Sequence, residues 1–179
     1  MSNIFFSSDL HFHHRNIMSF CPTTRLGNSI DEMNELLIQK YNSRVSNNDT
    51  VYLLGDISFG TFEQTKDTIS RLNGTKHLIY GNHDQVIRKH QELQNLFESV
   101  QDYKRIRIGK TTVILCHFPF RSWDMRHHGS FHLFGHTHGK LDEYPLGRSM
   151  DVGIDARPDG DMLPWSWEDI KPVLIQREI

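Results

Sequence analysis

The stretch Lys76-His77-Leu78-Ile79-Tyr80-Gly81-Asn82-His83-Asp84 decides the reading of this chain, because a strand-like run passes directly into a glycine followed by polar side chains able to hold cations or protons. Lys76 to Tyr80 is expected to be a strand, and Gly81-Asn82 suits a turn that needs unusual backbone angles. At average residue frequencies of roughly 5%, a specified four-residue run such as Gly81-Asn82-His83-Asp84 arises at a given position on the order of once in 10⁵. Four other segments repeat the transition from an apolar run to glycine or a polar loop: Ser8-Asp9-Leu10-His11, Gly55-Asp56, Cys116-His117 and Gly135-His136-Thr137-His138. In open α/β sheets ligands gather beyond the carboxyl ends of strands, so all five can converge on one site.

The elements between these segments support that order. Asn3 to Ser8, Thr50 to Gly55 and Lys76 to Tyr80 read as strands, alternating with helices over Ile30 to Val45 and Phe62 to Leu72. A further helix is expected over Gln85 to Phe97. Tyr103 to Ile108 and Thr111 to Cys116 flank Gly109-Lys110 as a hairpin, and Phe131 to Phe134, Ser149 to Ile154 and Val173 to Arg177 read as short strands. Ser166 to Ile170 reads as one helical turn. Alternating strands and helices followed mainly by strands predict a layered α/β domain with two sheets face to face and helices outside.

Each polar segment alone is weak. In an extended segment the side chains of Asp9 and His11, or of His136 and His138, would point the same way and could chelate, but either pair taken alone reads more readily as two solvated loop residues. Gly55-Asp56 alone is a strand end with a turn residue. Their joint occurrence, in order, carries the argument.

Taken together, D-x-H, G-D, G-N-H-D, H and G-H-x-H in this order resemble the calcineurin-like metallophosphoesterase superfamily. The match is nearest to small bacterial and phage members that begin as Asp9-Leu10-His11-Phe12-His13-His14-Arg15-Asn16-Ile17 does here. The resemblance implies a four-layered α/β/β/α sandwich, two mixed sheets with flanking helices, and a two-metal centre. It implies that Asp9, His11, Asp56 and His138 bind one metal and that Asp56, Asn82, His117 and His136 bind the other. Asp56 would bridge the two ions, and His83 would sit beside the scissile group.

The chemistry of those residue types agrees. Imidazole, carboxylate and amide ligands without thiolate suit manganese, iron, zinc, nickel or cobalt, with manganese favoured. Two divalent ions with Asp9, Asp56 and a hydroxide leave a local charge of about +1, which would attract phosphate. The expected reaction is hydrolysis of a phosphodiester or phosphomonoester by in-line attack of a metal-bridging hydroxide. His83 is the expected proton donor to the departing oxygen, its alternative being a hydrogen bond to a ligand. His14, Arg15 and Asn16 follow the first ligand pair closely enough to reach substrate. His13, His77, His90, His127, His128 and His132 are read as surface or satisfied loop residues, Asp151 as part of a core strand, and Cys116 as facing away from the metals. Gly55-Asp56 is followed by Ile57-Ser58-Phe59-Gly60, without the Asp and Arg of protein serine/threonine phosphatases, which disfavours a phosphoprotein substrate.

Composition sets the outer bounds. At 179 residues with 37% hydrophobic content, one domain over residues 1–179 is expected. The net charge of −2 lacks the basic excess of a general nucleic-acid binder. No apolar run spans a bilayer and the start lacks a secretory signal, so a cytoplasmic protein is expected. Cys21 and Cys116 alone imply neither a disulfide framework nor a thiolate zinc site. The expected partner is a small phosphate ester, whether a phosphodiester, a cyclic nucleotide or a phosphomonoester. A nuclease or nucleic-acid end-processing enzyme on the same centre is the alternative, supported by Lys104, Arg105, Arg107 and Lys110. A third reading makes the metal centre a scaffold for a protein partner, with Trp123, Trp165 and Trp167 marking either an interface or a small core.

Overall fold

The computed structural model describes residues 2–141 and 146–179. Its first sheet contains β1 (Ile4–Ser7), β2 (Thr50–Leu53), β3 (Thr75–Ile79), β4 (Ser99–Gln101) and β9 (Trp165–Ser166), in the order β4-β3-β2-β1-β9. β1 to β4 pair in parallel, with Ile4 opposite Thr50 and Thr50 opposite Thr75, and β9 closes the edge antiparallel to β1. The second sheet runs β5 (Tyr103–Ile108), β6 (Thr111–Cys116), β7 (Phe131–Phe134) and β8 (Ser149–Asp151). β5 and β6 form the expected hairpin, while β6, β7 and β8 are parallel.

Side-chain alternation along β1 explains how the layers meet. Phe5 points to a core shared with Met33, Leu37 and Tyr41 of α2 (Ile30–Arg44) and Ile69 of α3 (Phe62–Arg71). Phe6, one residue on, points the other way, into a core with Leu54, Ile79, Val113, Leu115, Phe131 and Leu133 between the sheets. Burying a side chain such as Phe6 stabilises the fold by about 2–3 kcal/mol, so a one-residue slip of β1 would exchange both cores at once. α2 starts where the Ser29 hydroxyl accepts the Glu32 amide hydrogen, and α3 starts at a reciprocal cap between Thr61 and Gln64. The class is therefore α/β with two mixed sheets face to face. The outer face of the second sheet is covered by the segment after β6: the Phe120 ring stacks on His132, and the Trp123 indole N–H donates to Ser130.

Three expectations change and one open alternative is resolved. Val173 to Arg177 is not a strand: α6 (Trp167–Ile175) runs through it, starting at a reciprocal cap between Ser166 and Asp169. Its Trp167, Ile170 and Leu174 join the inter-sheet core at helical spacing, which three contiguous apolar residues had disguised as a strand. The helix expected over Gln85 to Phe97 is two short ones, α4 (Gln85–Lys89) and α5 (Gln91–Gln94), separated by an extended His90 whose ring meets Phe62. His132 is neither surface nor loop but fully buried on β7. All three tryptophans are buried, Trp165 and Trp167 in the inter-sheet core, which favours the packing role over an interface. The short α1 (Ile17–Phe20) and the strands β4 and β9 carried no sequence signal. Among the described residues no helix is long and apolar enough to cross a membrane.

Candidate metal centre

Five segments meet because β1, β2, β3, β6 and β7 all end on the same side of the paired sheets. The Asp9 amide donates to the Gly55 carbonyl at 3.0 Å and the His11 amide to the Asp56 carbonyl at 3.0 Å, which zips the loop after β1 to the loop after β2. The His136 amide donates to Asp9 Oδ2 at 2.9 Å, which brings in the loop after β7. The His83 amide donates to Asp56 Oδ1 at 2.9 Å, which brings in the loop after β3. Two glycines make these approaches feasible, since a Cβ on Gly81 would collide with the Asp56 carboxylate and one on Gly135 with Ser8 and Asp9.

The side chains converge by a route the sequence reading did not foresee. Asp9, His11, Asp56, His136 and His138 all have left-handed backbones, with φ of 56°, 50°, 55°, 69° and 49°. The extended geometry expected for the Asp9/His11 and His136/His138 pairs is thus wrong, and sharply turned loops aim them instead. Each such residue costs of order 1–3 kcal/mol, and such strain clusters at functional sites.

Two triads result, Asp9/His11/His138 and Asp56/His117/His136, each with one ligand atom per residue and those atoms within 4.8 Å of one another. His11 Nε2 stands 3.6 Å from Asp9 Oδ1, and His138 Nε2 stands 4.0 Å from the same oxygen. Asp56 Oδ2 lies 3.7 Å from His11 Nε2 and 3.6 Å from His117 Nε2, so one oxygen faces both triads. Asn82 Oδ1 sits 3.1 Å from His117 Nε2 and adds an amide to the second triad. Asp9 Oδ1 and both His11 ring nitrogens are buried without a hydrogen-bond partner, a costly state for protein alone and a fitting one for cation ligands. The donor set and the orphaned atoms therefore fit two divalent cations. The structure brings all seven predicted ligands together.

The surrounding charges are fixed by residues the sequence did not reveal. Arg25 is buried, and its guanidinium donates to the carbonyls of Leu10 at 2.8 Å and Asp9 at 2.6 Å while pairing with both oxygens of Asp155. Asp155 in turn holds His138 Nδ1 at 2.7 Å. Burial opposes protonation of His138, but the Asp155 hydrogen bond and the charges of Asp9 and Asp155 outweigh it and raise its pKa. Burial also works against the charged form of Asp155, yet the His138 and Arg25 contacts hold its carboxyl well below the usual range. Asp9 follows the same pattern, burial being outweighed by the neighbouring imidazoles of His11, His117 and His138, which hold its carboxyl below the usual range. His136, two residues from His138, is shifted the other way, downward, first by burial and then by His117.

Asp84, in the deciding motif but given no role from sequence, is buried and accepts the amides of Gly81, Asp56 and Ile57 at 2.7, 2.9 and 2.9 Å. Burial nonetheless raises its pKa, with the charge of Asp56 adding to the effect. Asp151 accepts the Thr137 hydroxyl at 2.6 Å and the Gly139 amide at 3.0 Å, tying down the loop that carries His136 and His138; burial, then the charge of Asp9, pushes its pKa up to about 6.

A cavity of about 550 Å³ opens beside the triads, bordered by His11, His14, Phe20, Phe59, His83 and Lys140 among others. His83 lies on its wall, its ring 4.7 Å from that of Phe59. His14 also borders it, whereas Arg15 and Asn16 are exposed and are not among its lining residues. Cys116 is buried away from both triads.

A family model described as calcineurin-like phosphoesterase matches residues 2–125. The Gene 66 protein of Mycobacterium phage L5 is 34% identical over 87% of this chain and 88% of its own length. An uncharacterized protein of Methanocaldococcus jannaschii is 33% identical over 87% of this chain and 84% of its own. The crystal structure of a protein of unknown function from Aquifex aeolicus superposes with a TM-score of 0.75 and 21% identity, covering 97% of this chain and all of that one.

Proposed function

We propose that this chain, which belongs to the calcineurin-like phosphoesterase family, hydrolyses a small phosphodiester or phosphomonoester at the junction of its two triads. The observation that carries the reading is the position of Asp56 Oδ2, within 3.7 Å of an imidazole nitrogen from each triad. Asp9, His11, Asp56 and His138 would hold one cation, and Asp56, Asn82, His117 and His136 the other, with manganese favoured by the oxygen and imidazole donors. Two such cations supply, when bound, a water acidic enough for in-line attack near neutral pH and positive charge for the phosphoryl oxygens.

The chain's own residues do the remainder. Asp9 and Asp56 are anchored by the amides of His136 and His83, so their oxygens stay aimed at the centre. The His83 amide is anchored while its ring borders the open cavity, which suits an imidazole that protonates the departing oxygen. His14, on the same cavity wall, is placed to touch the ester, and Arg15 and Asn16 would reach it only from the rim. The small-ester reading is favoured over the nuclease because the basic residues of β5 have local partners: Arg105 pairs with Asp124 at 2.9 Å, and Lys104 donates to Ser99.

The direct test is a screen of chelator-stripped protein reloaded with manganese, iron, zinc, nickel or cobalt against bis(p-nitrophenyl) phosphate and p-nitrophenyl phosphate. Metal-dependent cleavage of at least one is expected, and no cleavage with any metal would overturn the reading in favour of a binding scaffold. His83→Ala is expected to keep its metals and lose about 100-fold or more in turnover. Full turnover at full metal content would remove His83 from the reaction.

A further inference from the structure

We infer that the cavity beside the two triads is a leaving-group pocket for a nucleoside, so that the ester cleaved is a small nucleotide-type one. The inference rests on the hydrolytic reading above for its direction and on the cavity for its chemistry. About 550 Å³ is the size of pockets that enclose a ligand of nucleoside dimensions. Its apolar lining is dominated by two phenyl rings rather than by branched aliphatic side chains.

Phe59 is wedged among three imidazoles, stacked on His11 at 5.1 Å, edge-on to His14 at 4.2 Å and tilted to His83 at 4.7 Å, yet it remains 37% exposed. Phe20, on the same cavity, is 67% exposed and meets the His14 ring at 6.0 Å. Held in place but left open, these rings offer aromatic faces on which any nucleobase can stack. The only charged side chain of fixed sign bordering the cavity, among the described residues, is Lys140, with no carboxylate to repel a phosphate-bearing ligand.

Direction follows from His83. Because its ring shares this wall with Phe59, the oxygen it protonates belongs to the group inside the cavity. Water's oxygen stays on phosphorus, the bond from phosphorus to the nucleoside oxygen breaks, and that oxygen leaves with the His83 proton.

Adenosine, the product-side group, is the probe, titrated calorimetrically into manganese-loaded protein and compared with glycerol. Adenosine is expected to bind and glycerol not to. Phe20→Ala and Phe59→Ala are each expected to weaken adenosine about tenfold, with Phe20→Tyr restoring it. Phe20 is exposed, so its variants are expected to fold, and an unchanged thermal midpoint checks this. Absence of adenosine binding, or binding indifferent to both alanine variants, overturns the inference. So does a short single-stranded oligonucleotide that binds where adenosine does not. The two readings fail separately: adenosine bound with no ester cleaved sinks the hydrolytic reading alone, and esters cleaved with no adenosine bound sinks the pocket alone.

Discussion

The two triads share a carboxylate chemistry but are buttressed differently. In the Asp9/His11/His138 triad, His138 Nδ1 is held by the Asp155 carboxylate, and Arg25 locks Asp155 to the backbone of Asp9 and Leu10. In the Asp56/His117/His136 triad, His117 Nδ1 meets the Leu54 carbonyl, at 2.7 Å, and His136 is exposed. A carboxylate behind an imidazole raises its basicity as well as fixing its ring, whereas a carbonyl mainly orients it. On the proposed two-cation reading, the first triad would hold its cation more tightly and the second would stay more open to exchange and to substrate.

The largest effect is expected at Asp56, whose carboxylate faces both triads. Asp56→Asn should lower ester turnover by more than about 100-fold, beyond what removal of an outer partner produces. Wild-type turnover in a folded Asp56→Asn protein would erase the shared carboxylate from the account. Next comes the contrast itself: Asp155→Asn should weaken cation binding by about 10–100-fold at the first triad and leave the second unchanged, read by competition with a metallochromic dye. Equal weakening of both ions would show that the buttress does not distinguish them.

The smallest effect separates the site histidines from one that serves the fold. His132 is buried and neutral, accepting the Phe120 amide hydrogen at Nε2 and facing the Ile114 carbonyl with Nδ1, and burial pushes its pKa down to about 4. The unfolded chain then takes up a proton that the folded chain refuses, so this contribution is complete above pH 6.5 and is lost as the pH falls toward 4. Between pH 7 and 5.5 it should reduce the unfolding free energy of chelator-stripped protein by about 1 kcal/mol. Urea titrations at the two pH values check this, and a His132→Gln variant should show a smaller difference. An identical difference in that variant would assign the effect to other groups.

The parts legible in the sequence were those with repeated local signals. Strands β1, β2 and β3 were marked by apolar runs, and the side chains of the candidate metal centre by residue types unusual at strand ends. Val173 to Ile175 misled because a helix that buries Trp167, Ile170 and Leu174 can still place apolar residues side by side, and the turn read over Ser166 to Ile170 marks only its start. Strands β4 and β9, three and two residues long, are held by sheet pairing alone and leave no pattern. Arg25 was illegible for a related reason: an arginine in a polar segment reads as solvated until the fold seals it against Asp155. Asp155 lay in a stretch read as a strand and a turn. The left-handed backbones at Asp9 and His11 depend on pairing with Gly55 and Asp56, a contact far along the chain.

Whether one carboxylate joins two cation sites is read by calorimetric titration of chelator-stripped protein with manganese. Two ions per chain are expected for the wild type and no more than one for Asp56→Asn. A wild type that takes up no ion, or an Asp56→Asn variant that still takes up two with unchanged affinity, would contradict a shared carboxylate.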